Sequence, residues 1–86
     1  MSFKLSIITP AGAVFDGDVD SLAAPGLEGG FEVYSGHAAM MTALTSGQAS
    51  VKQQGKTLTF TIDSGILEVT PQHQVLLLAD QATPKV

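Results

Sequence analysis

Cysteine and arginine are absent from this 86-residue chain, and charge of either sign is scarce, at 14% of residues. Without cysteine there is no disulfide framework and no thiolate metal site, so a hydrophobic core must hold the fold unaided, in a form compatible with a reducing compartment. The positive side of the balance is four lysines against eight acids, a net charge of −4. This argues against nucleic-acid binding, which needs a basic stripe to neutralise phosphates, and against a membrane-surface helix, which needs a cationic polar face. No apolar run approaches the ~20 residues of a spanning helix. Met1-Ser2-Phe3-Lys4-Leu5-Ser6 is not followed by an uninterrupted apolar segment, so a signal peptide is not expected and a soluble protein is.

What the chain does contain is apolar. Hydrophobic residues make up 44%, while charge falls well below the roughly 25% of an ordinary soluble domain. Either apolar area stays exposed and meets a partner, or the many Ser, Thr and Gln residues do the solvating. At this length one domain, spanning residues 1–86, is expected to bury about 60–65% of its unfolded surface. Four of the nine glycines (Gly26, Gly29, Gly30 and Gly36) fall between Pro25 and Gly36. Ala38-Ala39-Met40-Met41 follows, apolar but with no clean period. A dense glycine loop leading into such a segment marks the candidate contact region.

Period-2 alternation dominates the rest. Phe3, Leu5 and Ile7 alternate with Lys4, Ser6 and Ile8; Ala13-Val14-Phe15 reads as a partner strand stopped by the turn dipeptide Asp16-Gly17; Asp18 to Ala24 and Phe31 to Tyr34 read as further strands. Leu58, Phe60 and Ile62 alternate with Thr57, Thr59 and Thr61 after the two-residue turn Gln54-Gly55, predicting a hairpin with Gly47–Gln53. Ser64-Gly65 reads as a break before Ile66–Thr70. The run Val75–Ala79 predicts a strand buried on both faces, and residues 81–86 a frayed tail. About eight to ten short strands with no long helix predict an all-β fold, an antiparallel β-sandwich or small barrel.

No catalytic set can be assembled. His37 and His73 lie far apart in sequence, and neither has a metal-ligand partner two to four residues away. Asp16, Asp18 and Asp20 imitate the start of a calcium loop, but its sixth and twelfth positions hold Ser21 and Leu27 instead of Gly and Glu. Gly26–Gly30 lacks the spacing and the lysine of a phosphate loop. No enzyme, cofactor or metal is expected.

The ordered string Leu5-Ser6-Ile7-Ile8-Thr9-Pro10, Phe15-Asp16-Gly17, Pro25-Gly26, Glu28-Gly29, Gly36-His37-Ala38, Thr42-Ala43-Leu44, Gly47, Gly65-Ile66-Leu67-Glu68-Val69 and Leu78-Ala79-Asp80 resembles the epsilon subunit of the rotary F-type ATP synthase, called delta in mitochondria. The resemblance implies a sandwich of two packed sheets and a non-catalytic central-stalk subunit. By resemblance the gamma subunit would meet Thr9, His37, Ala38, Ala39, Met40, Met41, Thr42 and Ala43. The ring of c subunits would meet Leu27, Glu28, Gly29 and Gly30.

Such a rotor part couples proton-driven rotation to ATP synthesis, peripheral to the membrane on its cytoplasmic side and not inserted in it. Longer family members carry an inhibitory helical hairpin after the Leu-Ala-Asp segment, and its lack is expected here. Two departures from the family pattern bear on the ring contact. Gly30 and Glu32 exchange the usual order of polar residue and glycine, and Ser35 stands where proline is frequent. The rival expectation is a stand-alone β-module gripping a small ligand with its glycine loop, which requires a concave apolar pocket.

Overall fold

Alternating apolar residues along extended chain can be buried only by stacking one sheet face on another. The computed structural model, which describes residues 1–85, does this with eight strands: β1 (Phe3–Thr9), β2 (Gly12–Val19), β3 (Ser21–Gly26), β4 (Gly29–Tyr34), β5 (Met40–Leu44), β6 (Gly47–Gln53), β7 (Lys56–Val69) and β8 (Val75–Pro84). No helix forms among the described residues. The fold is an all-β sandwich organised around the long hairpin β7–β8.

β7 pairs β6 along Lys56–Ile62, then changes partner and pairs β5 along Gly65–Val69, with β8 on its other edge from Phe60 to Val69. The change falls at Asp63-Ser64, where Ser64 takes a φ of 47° and its Oγ donates to Asp80 Oδ2 at 3.1 Å. The predicted break at Ser64-Gly65 is therefore a bend within one strand. Gly65 makes that bend possible, because a Cβ there would lie 2.1 Å from the Leu78 carbonyl oxygen. Each half of the hairpin serves a different layer, one with β6, β3 and β4, the other with β1, β2 and β5.

Between the layers lies one core, from Leu5 and Ile7 on β1 through Leu22 on β3 and Val51 on β6 to Leu67 and Leu77 on β7 and β8. Phe15 of β2 meets Phe60 of β7 edge to face at 5.9 Å, tying the layers together. Gln53 Nε2 adds a polar tie, donating to the Asp18 carbonyl at 2.8 Å. The β6–β7 turn has positive φ at both Gln54 and Gly55, as a two-residue hairpin with right-handed strand twist requires.

Four expectations are corrected. Asp16-Gly17 does not turn the chain: β2 continues to Val19, pairing Asp16 with Ser6 and Gly17 with Leu5, because a turn dipeptide yields to a partner strand that satisfies its backbone. Val75–Ala79 is not buried on both faces. Val75, Leu77 and Ala79 are buried but Leu78 is 44% exposed, since no element among the described residues covers the outer side of its sheet. The sheet is not wholly antiparallel, because β1 and β8 pair in parallel through Leu5↔Val75 to Ile8↔Leu78. Residues 81–84 are not frayed: their backbone pairs with Phe60–Asp63, and Ala82 packs against the core. Val86 lies outside the described residues.

The β3–β4 hairpin holds Leu27-Glu28 at its tip, closed by Gly26 against Gly29. A Cβ on Gly26 would lie 2.5 Å from the Gly29 carbonyl oxygen and 2.9 Å from the Phe31 ring. Gly26→Ala is accordingly expected to cost about 2 kcal/mol through overpacking and to reshape this tip. Thermal denaturation together with limited proteolysis at the tip checks it; a wild-type melt with unchanged cleavage would contradict the geometry.

Candidate functional site

The twelve predicted contact residues fall into three places. Leu27 and Glu28 form the exposed hairpin tip, with Gly29 and Gly30 opening β4 beside it. β5 lies next to this tip, joined by Leu27 N donating to the Ala43 carbonyl at 3.0 Å and Thr45 N donating to the Pro25 carbonyl at 2.9 Å. A depression of about 350 Å³ between them is lined by Gly26–Phe31, Thr42 and Ala43. The two groups predicted for different partners are thus adjacent at Leu27 and Ala43.

His37 sits at the other end of β5. Its Nδ1 lies 2.8 Å from the Ala38 carbonyl oxygen, and its own carbonyl oxygen lies 3.1 Å from His73 Nδ1. The two histidines, thirty-six residues apart, therefore lock two turns together, the one after β4 and the one after β7. Ala38 and Ala39 are exposed and precede the strand. Within β5 the apparent lack of period resolves into alternation: Met40, Thr42 and Leu44 point toward the core, while Met41, 66% exposed, and Ala43 point out.

Thr9 lies at the end of β1, where its Oγ1 accepts from Ala11 N and donates to the Gly12 carbonyl, both at 3.2 Å. It shares a groove of about 350 Å³ with Pro10, Gly65, Ile66, Leu78, Ala79 and Asp80. From this groove one lateral row crosses the outer face of the sheet: Ala13–Ile8–Leu78–Ile66–Ala43, each residue directly opposite the next on the neighbouring strand. A second row, Asp16–Ser6–Leu76–Glu68–Met41, runs beside it. Ile66 is 45% exposed, and these two rows carry most of the exposed aliphatic side chains of their layer. They connect Thr9 to Met41 and Ala43 across four strands.

Ile8, Ile66, Leu76 and Leu78 are the residues that reading the sequence missed. Each lies out of phase with a buried neighbour, Ile7, Leu67 or Leu77, and that phase was the available signal. A solid apolar run hides its phase.

The two acids of the β3–β4 hairpin, Glu28 at its tip and Glu32 within β4, have different surroundings. Tyr34 Oη donates to Glu32 Oε2 at 2.9 Å, and that bond, with the carboxylate's charge, holds the phenol above its usual pKa. Glu32 is thereby engaged with its own strand, while Glu28 projects at the tip. A depression of about 500 Å³ between Pro25, Phe31, Glu32 and Gln48 is open to solvent on the other layer. It is not the enclosed apolar pocket that a small-ligand module requires. Among the described residues no three His, Asp or Glu side chains converge as a metal site, and no helix is long and apolar enough to cross a membrane.

Known proteins resemble this chain along nearly its whole length. The sequence profile of the family described as "ATP synthase, Delta/Epsilon chain, beta-sandwich domain" matches residues 2–85. The ATP synthase epsilon chain of Chlorobium limicola is 40% identical over 80 residues, covering 92% of this chain and 91% of the relative. That of Caulobacter vibrioides is 39% identical over 72 residues, covering 84% of each. Among solved structures, a chain of the Euglena gracilis mitochondrial ATP synthase (OSCP, F1 and c ring) superposes with a TM-score of 0.90 at 21% identity, over 96% of this chain. The present chain spans about half of that one, 53% of its length, and at such identity the likeness speaks for the fold alone.

Proposed function

Because the chain belongs to the ATP synthase delta/epsilon chain family through its β-sandwich domain, we propose that it docks the gamma subunit with the outer face of the β2-β1-β8-β7-β5 layer and meets the c ring with the Leu27–Gly30 tip. It is a non-catalytic subunit of the synthase, and in this reading it couples proton-driven ring rotation to ATP synthesis from the cytoplasmic side of the membrane. One observation carries the docking assignment: Ile8, Leu78, Ile66 and Ala43 form a continuous apolar row on a sheet face that nothing among the described residues covers. Exposed contiguous apolar area marks a partner surface. Of the predicted gamma contacts, Ala43 belongs to that row and Thr9 and Met41 border it, whereas the Met40 and Thr42 side chains face the core.

A close-packed sandwich also suits a part that must pass torque, since such interiors deform little. Calorimetric titration of the chain with purified gamma subunit tests the reading. One-to-one saturable binding supports it, and no heat from a demonstrably folded domain would undo it.

The tip supplies the ring-facing prediction. Glu28→Lys reverses the free carboxylate at an exposed position, so the melting behaviour should stay within about 0.5 kcal/mol of wild type. Proton pumping by synthase reconstituted with the variant should fall roughly by half or more, as the carboxylate proposed to face the ring is replaced by a charge of opposite sign. Normal pumping would remove Glu28 from the contact.

A further inference from the structure

We propose that Glu68 selects the partner on the docking face by receiving a cation, an arginine or lysine, that the docked surface sets among its apolar side chains. This rests on the docking reading above and adds the chemistry of what is docked.

Glu68 is half-buried, with Leu76 opposite it on β8 and Met41 opposite it on β5. Its diagonal neighbours in the adjacent row are Leu78 and Ala43. The ion pair present among the described residues joins Lys4 and Asp16 at 4.0 Å, on the far side of β1, and Glu68 makes neither an ion pair nor a hydrogen bond there. In the free chain water reaches this carboxylate, because among the described residues no buried polar side-chain atom lacks a partner. Docking an apolar surface removes that water, and a carboxylate desolvated without a counter-charge is strongly disfavoured.

The face cannot supply the counter-charge itself. Asp16, Asp18, Glu68 and Asp80 share its phase, with Lys4 as the one cation among them, already beside Asp16. A second copy of the chain would set acid against acid, so self-association is not what this face is built for. A basic side chain on a different protein satisfies both the apolar rows and the carboxylate, and charge-assisted pairing in a desolvated interface fixes register as well as affinity.

The test is calorimetric titration of purified gamma subunit from the same synthase with the wild-type chain, Glu68→Gln, Glu68→Leu and Leu78→Ser, each first shown to melt as the parent does. Both Glu68 variants should bind at least tenfold more weakly, the near-isosteric Gln included. Unchanged or tighter binding by Glu68→Leu overturns the proposal, since the acid would then be merely tolerated on an apolar face. Leu78→Ser separates the two claims. If it weakens binding while the Glu68 variants do not, the docking face stands and the cation pairing falls; if it binds like wild type, the face itself is wrong and both fall.

Discussion

Gly65→Ala should lower the melting temperature of this domain by about 12–24 °C. The added Cβ would stand 2.1 Å from the Leu78 carbonyl oxygen and 3.0 Å from Ala79 Cα, and both obstacles are backbone. A flexible side chain could swing aside, but a paired strand cannot. Relief requires β7 and β8 to separate where they bend between layers, in the middle of the longest ladder of the fold. Overpacking of this kind costs about 3 kcal/mol, and each kcal/mol moves the melting point of a domain this size by roughly 4–8 °C. Small domains hold only about 5–15 kcal/mol in total, so the substitution would remove a substantial part of the stability. Gly30→Ala is the control: its Cβ would meet only the Ala24 carbonyl oxygen at 3.7 Å, an ordinary contact. Equal melting points for the two variants would refute the close approach at Gly65.

The double variant Ile66→Asp, Leu78→Asp should abolish measurable gamma binding, a loss beyond about a thousandfold, while leaving the domain folded. The two side chains face each other across β7 and β8 at the centre of the apolar row. Each is nearly half exposed, at 45% and 44%, so replacing them removes little core contact and costs about 1 kcal/mol or less apiece, mainly through the poor strand propensity of aspartate. In the docked state the same two carboxylates would be stripped of water without partners, at several kcal/mol each. A circular dichroism melt establishes folding and titration calorimetry measures binding. Retained micromolar affinity by a folded double variant would place the gamma contact elsewhere on the molecule.

These two predictions separate what holds the domain together from what it presents. Gly65 and Gly26 are demanded by backbone meeting backbone, a property of the fold alone. Ile8, Ile66, Leu76 and Leu78 contribute little to folding through their outer surfaces. Their value lies in what covers them.

How much of this could be read beforehand differs element by element. β1, the β6–β7 hairpin and the Gln54-Gly55 turn were legible because their signals are local: alternation over five to seven residues, and a dipeptide suited to positive φ. The all-β architecture followed from many such segments without a helical period. Reading failed where a local signal met a partner strand. Asp16-Gly17 and Ser64-Gly65 carry turn chemistry, yet both lie inside strands, because pairing on β1 and β8 satisfies backbone groups that a turn would have satisfied otherwise. Residues 81–84 have no apolar pattern, yet they are ordered by Phe60–Asp63, since main-chain hydrogen bonding takes no account of side-chain type.

The composition by itself excluded disulfides and argued against nucleic-acid binding and spanning helices, and the order of short motifs pointed to the family, because these depend on which residues are present and in what order. The docking face did not follow from either. Leu76 and Leu78 have the same chemistry as Leu77, and Ile66 the same as Leu67. Which of them reaches solvent depends on which sheet face the second layer covers, a choice settled when β7 and β8 bend and close the sandwich on one side only.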